Sequence, residues 1–84
     1  MKVNLLKTDL KLTDKFYLRA VITVENQKDV FAYIYDRKEH AGYICKINKE
    51  LETAPIEDDD IFYTILKTLR KEEVILTNTQ IVKD

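Results

Sequence analysis

The ten residues 16–25 alternate without a break. Phe16, Leu18, Ala20, Ile22 and Val24 are apolar, and Tyr17, Arg19, Val21, Thr23 and Glu25 interleave with them. A period of two fits a pleated strand with one apolar and one mixed face; a helix would repeat every ~3.6 residues. Short polar segments divide the chain beyond this strand. Residues 26–29 separate it from 30–35, and 36–42 separate that stretch from 43–48. Connections this short join antiparallel neighbours, because a parallel crossover needs a dozen or more residues.

Residues 58–71 change period. Ile61, Phe62, Ile65, Leu66 and Leu69 recur at helical spacing and form one apolar stripe, with Tyr63 at its edge. At about 100° per residue, Glu72 and Glu73 would return to the apolar face, so the helix is expected to stop near Lys71. Acids at its start and Arg70 and Lys71 at its end complement the helix dipole. Beyond it, Val74, Ile75 and Leu76 read as a strand, and residues 80–82 as its continuation or another short one. At the N-terminus, Val3 and Leu5, then Leu10 and Leu12, suggest one or two short strands divided by Lys7, Thr8 and Asp9. Residues 49–57 read as a charged connection. The expected fold is α+β: a mostly antiparallel sheet, a meander of four to six strands, with one helix at about 58–71 packed on one face.

Gly42 is the only glycine and Pro55 the only proline among 84 residues, which leaves no flexible linker. A single domain over residues 1–84 is expected. Cys45 is alone, so no intramolecular disulfide forms, and a small secreted domain would normally need one. The N-terminus breaks its apolar pattern too early for a signal peptide, and no apolar run approaches the ~20 residues of a membrane span. A cytoplasmic protein is therefore expected. Lysine outnumbers arginine by eleven to three. That bias and the small size are the grounds for expecting a phage or other mobile element as the source.

Several chemistries lack their residues. The chain has no serine, and its only histidine and only cysteine, His40 and Cys45, fall in an expected turn and an expected strand. A structural zinc site needs about four Cys or His ligands. Phosphate-cradling and dinucleotide loops need several glycines. No enzyme activity, no cofactor and no metal site is expected.

Charge is segregated. Residues 1–49 carry ten Lys or Arg against six Asp or Glu, and residues 50–60 carry six acids and no base. The run Glu57, Asp58, Asp59 and Asp60 admits a helix-capping reading. Its other readings are a divalent cation site, an imitation of a phosphate backbone, and docking onto a basic surface of another protein. The calcium-loop spacing is missing. The leading expectation is a protein-interaction module that inhibits or regulates its partner through Glu57, Asp58, Asp59, Asp60 and Tyr63.

Two alternatives stand beside it. Tyr17, Arg19, Phe31, Tyr33, Tyr35 and Lys46 can share one sheet face and bind single-stranded nucleic acid by stacking and charge. This depends on register. If Glu25 lies opposite Asp29, the aromatics of residues 31–35 leave the apolar face; a slip of one residue sends them into the core. The third expectation is a homodimeric structural subunit, joined through an uncovered sheet face or edge strand.

Overall fold

The computed structural model describes residues 1–76 and 78–83. It is a six-stranded sheet with one helix. β1 (Val3–Lys11), β2 (Phe16–Val24), β3 (Val30–Asp36), β4 (Ala41–Ile47) and β5 (Thr53–Ala54) form an antiparallel meander in chain order. Helix α1 (Asp59–Lys71) comes next, and β6 (Gln80–Val82) returns to pair parallel with β4. The edge of β4 is thus shared: β6 takes Ala41–Tyr43 and β5 takes Lys46 and Ile47. Among the described residues, no helix is long and apolar enough to cross a membrane.

The expected α+β fold is present, with local differences. β1 is one nine-residue strand, because a register irregularity between Lys7 and Leu10 absorbs the polar interruption. β5 lies inside the charged connection, where two residues are too short to leave a periodic signal. The triplet Val74–Leu76 is not a strand. The helix ends in a left-handed turn at Glu73 (φ 57°), with Val74 N–H donating to Leu69 O and Glu73 N–H to Arg70 O. That paired closure folds Val74 back onto the helix's own apolar stripe.

The register between β2 and β3 takes the slipped form. Ile22 faces Phe31 and Ala20 faces Tyr33. Phe31 and Tyr33 are therefore buried, with Ala20, Ile22, Val24 and Ile44, beneath the helix stripe Ile61, Phe62, Ile65, Leu66 and Leu69. Each of these larger side chains stabilises the fold by about 1.5–3 kcal/mol on burial. That packing, more than intrinsic propensity, sustains a helix of only 13 residues.

Arg19 has no partner in β3, since Leu18 faces Ile34 and Ala20 faces Tyr33. The bulge turns the alternation over. Leu18 and Phe16 point to the opposite side of the sheet from Ala20, Ile22 and Val24. There they join Ala32, Ile34, Val21, Tyr43 and Ile47 in a second apolar cluster. Among the described residues, no helix covers that side.

Candidate functional site

The acidic run sits at the start of α1, and its members do different things. Asp58 is the N-cap: its backbone is extended (φ −86°, ψ 112°), and Oδ1 accepts from Asp60 N–H at 2.9 Å and Ile61 N–H at 3.3 Å. A cap of this kind stabilises a helix by about 1 kcal/mol. Asp59 binds the Lys83 ammonium, which arrives from beyond β6. Hydrogen bonding to Asp59 raises the Lys83 pKa, against a smaller effect of desolvation. The same ammonium lies 5.6 Å from the Phe62 ring centroid and 5.3 Å from that of Tyr63. These two rings meet edge to face at 5.2 Å. Phe62 is buried, whereas Tyr63 is 56% exposed. Glu57 and Asp60 are exposed and carry no ion pair among the described residues. The run thus divides: Asp58 and Asp59 are engaged within the chain, while Glu57 and Asp60 point into solvent, as Tyr63 largely does.

The six sheet residues separate. Phe31 and Tyr33 are 2% and 1% exposed, which removes their ring faces from any ligand. Burial pushes the Tyr33 hydroxyl pKa up to about 12, with Arg19 pulling it down and Tyr35 adding to the rise. Lys46 pairs with Phe31 and Ala54, toward the other end of β4. Only Tyr17, Arg19 and Tyr35 come together, beside two residues that sequence reasoning missed, Arg37 and His40. Arg19 lies over the Tyr35 ring at 5.7 Å and Arg37 over the Tyr17 ring at 5.9 Å. Tyr35 Oη and His40 Nδ1 are 2.9 Å apart. The β3–β4 turn is the missed signal: it carries both residues back to the aromatic pair. Cys45 lies on the opposite face, its thiol 3.9 Å from the Ala32 carbonyl oxygen.

Asp36 shapes that turn. Its side chain is fully buried, and Oδ1 accepts from Lys38 N–H at 2.9 Å and Glu39 N–H at 3.0 Å. Oδ2 lies 3.3 Å from Lys15 Nζ. Burial works against the ionised form, but the Glu39 N–H, the Lys15 ammonium and the Lys38 N–H outweigh it and hold the pKa below the usual carboxylate range. The folded value is the depressed one. Its stabilisation is therefore full above the ordinary carboxylate pKa of about 4 and lost as pH falls through the folded value. Melting temperature followed from about pH 6 to pH 2 is expected to show this loss in the native chain and not in Asp36→Asn.

The uncovered side of the sheet is the other candidate surface. Leu6 and Leu10 on β1 are 64% and 49% exposed, and Val30 is 37% exposed. Phe16, Val21, Tyr43 and Ile47 are half-buried around the closed centre formed by Leu18, Ala32 and Ile34. A depression of about 470 Å³ lies on this side, lined by Val21, Val30, Ile47 and Leu51 and by the charged Lys28, Asp29 and Lys49. Among the described residues, no three His, Cys, Asp or Glu side chains converge as a metal site would require.

Comparison of the chain with protein-family models, with curated proteins and with solved structures finds no match.

Proposed function

We propose that this chain is a non-catalytic protein-binding module that regulates or inhibits a partner by docking the start of α1 onto a basic surface. The observation that carries the reading is Tyr63, a large side chain left 56% exposed in a helix whose apolar stripe is otherwise buried. Exposed tyrosine is a preferred anchor at protein interfaces, being broad, stiff and polar at its tip. Asp60, three residues before it on the helix, and Glu57, just ahead of the N-cap, supply negative charge that steers a basic partner. Asp58 and Asp59 hold the helix and the C-terminal segment in place and contribute to docking only through them.

The chain is tested as bait in a lysate of its source cell, with and without nuclease. One protein is expected to be retained in both samples. A variant combining Glu57→Gln, Asp60→Asn and Tyr63→Ala is expected to bind it at least about tenfold more weakly, a change within reach of one interface anchor. The native affinity is expected to fall as salt rises. Equal retention by the variant at every salt concentration would remove the docking proposal. Loss of all retained material on nuclease treatment would instead favour nucleic acid at Tyr17, Arg19, Tyr35 and Arg37.

A further inference from the structure

β1 forms an open edge of the sheet. It runs nine residues, pairs with β2 on one side, and among the described residues meets no strand on the other. Its outer backbone stays regular in spite of the register irregularity. Lys2 O accepts from Glu25 N–H at one end, and Leu12 N–H donates to Phe16 O at the other, so both residues turn their backbone toward β2. They lie an even number of positions apart, and the alternation therefore holds between them. The side chains agree: Leu6 and Leu10 lie across from Val21 and Leu18, both in the second apolar cluster. The odd residues Leu5, Lys7, Asp9 and Lys11 thus aim their N–H and C=O groups outward. The side chains along this edge are available too. Leu6 and Leu10 are 64% and 49% exposed. Lys7 has no ion pair among the described residues, and the Asp9 carboxylate, 77% exposed, reaches Arg19 only at 3.9 Å.

We infer that β1 pairs antiparallel with β1 of a second copy of the chain, continuing the sheet across a two-fold axis at Thr8. The edge is its own complement about that residue. Lys7 falls opposite the second copy's Asp9, Asp9 opposite its Lys7, Leu6 opposite its Leu10, and Thr8 opposite Thr8. Opposite charges, apolar pairs and paired threonines are all favourable directly across a seam, and the symmetry supplies the first two twice. In this register the outward backbone groups of Lys7 and Asp9 also meet one another. Other registers fare worse. An axis through Lys7 sets Lys7 against itself. One through Asp9 sets Asp9 against itself and Lys7 against Lys11. One through Leu6 leaves Lys7 and Asp9 opposite Leu5 and Val3, and one through Leu10 overlaps only residues 9–11 of the strand. An axis between two residues turns outward backbone groups toward inward ones. Edge lysines ordinarily repel an added strand; here the acid that answers Lys7 is carried by the same strand in the second copy. The contact is one strand wide, so the dimer is a weak one, with a Kd on the order of micromolar or above.

The test is the mass of the full chain in solution, by sedimentation and light scattering over a wide concentration range. A species of twice the 9.9 kDa chain mass that dissociates on dilution is expected. Lys7→Asp should weaken it by about tenfold or more, because two attractive pairs become two repulsive ones, and Asp9→Lys should do the same. An equimolar mixture of the two variants restores opposite charges at both positions, so it should associate as well as the native chain. Both residues are exposed, and each dilute variant should melt with the native protein. Hydrogen exchange locates the contact: the Lys7 and Asp9 amide protons should exchange fast in the dilute chain and slowly in the dimer. A monomer at every concentration would overturn the inference. So would a dimer indifferent to both charge reversals, a mixture that fails to associate, or a dimer that leaves those two amides unprotected. None of these outcomes bears on docking at Tyr63, which its own variants test.

Discussion

Tyr33→Ala is expected to lower folding stability by about 3–5 kcal/mol, read as a fall in melting temperature of roughly 15–30 °C for a domain of this length. Tyr33 is the largest fully buried side chain, 1% exposed, with Ala20 across β2 and Ile44 across β4. Deleting its ring leaves a cavity directly under the helix, walled by strands that cannot collapse into it without breaking their own pairing. Domains of this kind are stable by only about 5–15 kcal/mol, so the variant sits near the threshold of folding. Tyr35→Ala is the contrasting case. That ring is half-buried and meets His40 and Arg19 at the surface, and its loss is expected to cost about 1 kcal/mol. Thermal and urea unfolding of the two variants measures the difference. A Tyr33→Ala chain that melts with the native one but binds single strands less well would place the ring outside the core in solution and return the nucleic-acid reading to first place.

The second large effect is expected from the single glycine. Gly42 is buried on β4, and its φ is not positive, so space rather than backbone freedom is what the position demands. A Cβ there would lie 2.5 Å from Tyr33 Cε1, 2.7 Å from its hydroxyl oxygen and 3.0 Å from Ile81 Cδ1. The Tyr33 ring is 1% exposed, so a shift must push into other packed side chains. Gly42→Ala is therefore expected to destabilise by about 1–3 kcal/mol, the range for an overpacked core. The mechanism has its own check. With Tyr33→Leu in the same chain, the added methyl no longer meets the ring, so the double variant should cost less than the sum of the singles by about 0.5–3 kcal/mol. Strict additivity would mean that Gly42 is required for some reason other than contact with Tyr33.

Much of the fold was legible because hydrophobic period survives in the sequence. β2, the two hairpins after it and the helix all lie within a residue or two of their expected bounds, and Asp58 caps the helix where the acids predicted its start. What was illegible has physical causes. The alternation from Phe16 to Val24 reads as one face, yet the bulge at Arg19 sends Phe16 and Leu18 to one side and Ala20, Ile22 and Val24 to the other. A bulge leaves the spacing of apolar residues along the chain untouched; it appears only when a partner strand is counted against it. The same blindness kept the aromatics' side open, since the register sets it and the partner sets the register. Within the acidic run, charge gave the location and the cap. The division of labour between Asp59, tied to Lys83, and the unengaged Glu57 and Asp60 needed a contact 24 residues away in the chain.

The order of pairing also gives the nascent chain a timetable. β1 to β4 each pair with the next strand made, so a four-stranded sheet has all its residues once Ile47 is synthesised. The stripe that covers it comes only with Ile61 to Leu69, and Val74, Ile75 and Ile81 later still. At about 5–20 residues per second, the gap lasts on the order of seconds. Until that stripe docks, Ile22, Phe31 and Tyr33 lack their cover on one side of the sheet, while Leu18 and Ile34 line the other. The growing protein is therefore at its most adhesive just before its own helix leaves the ribosome.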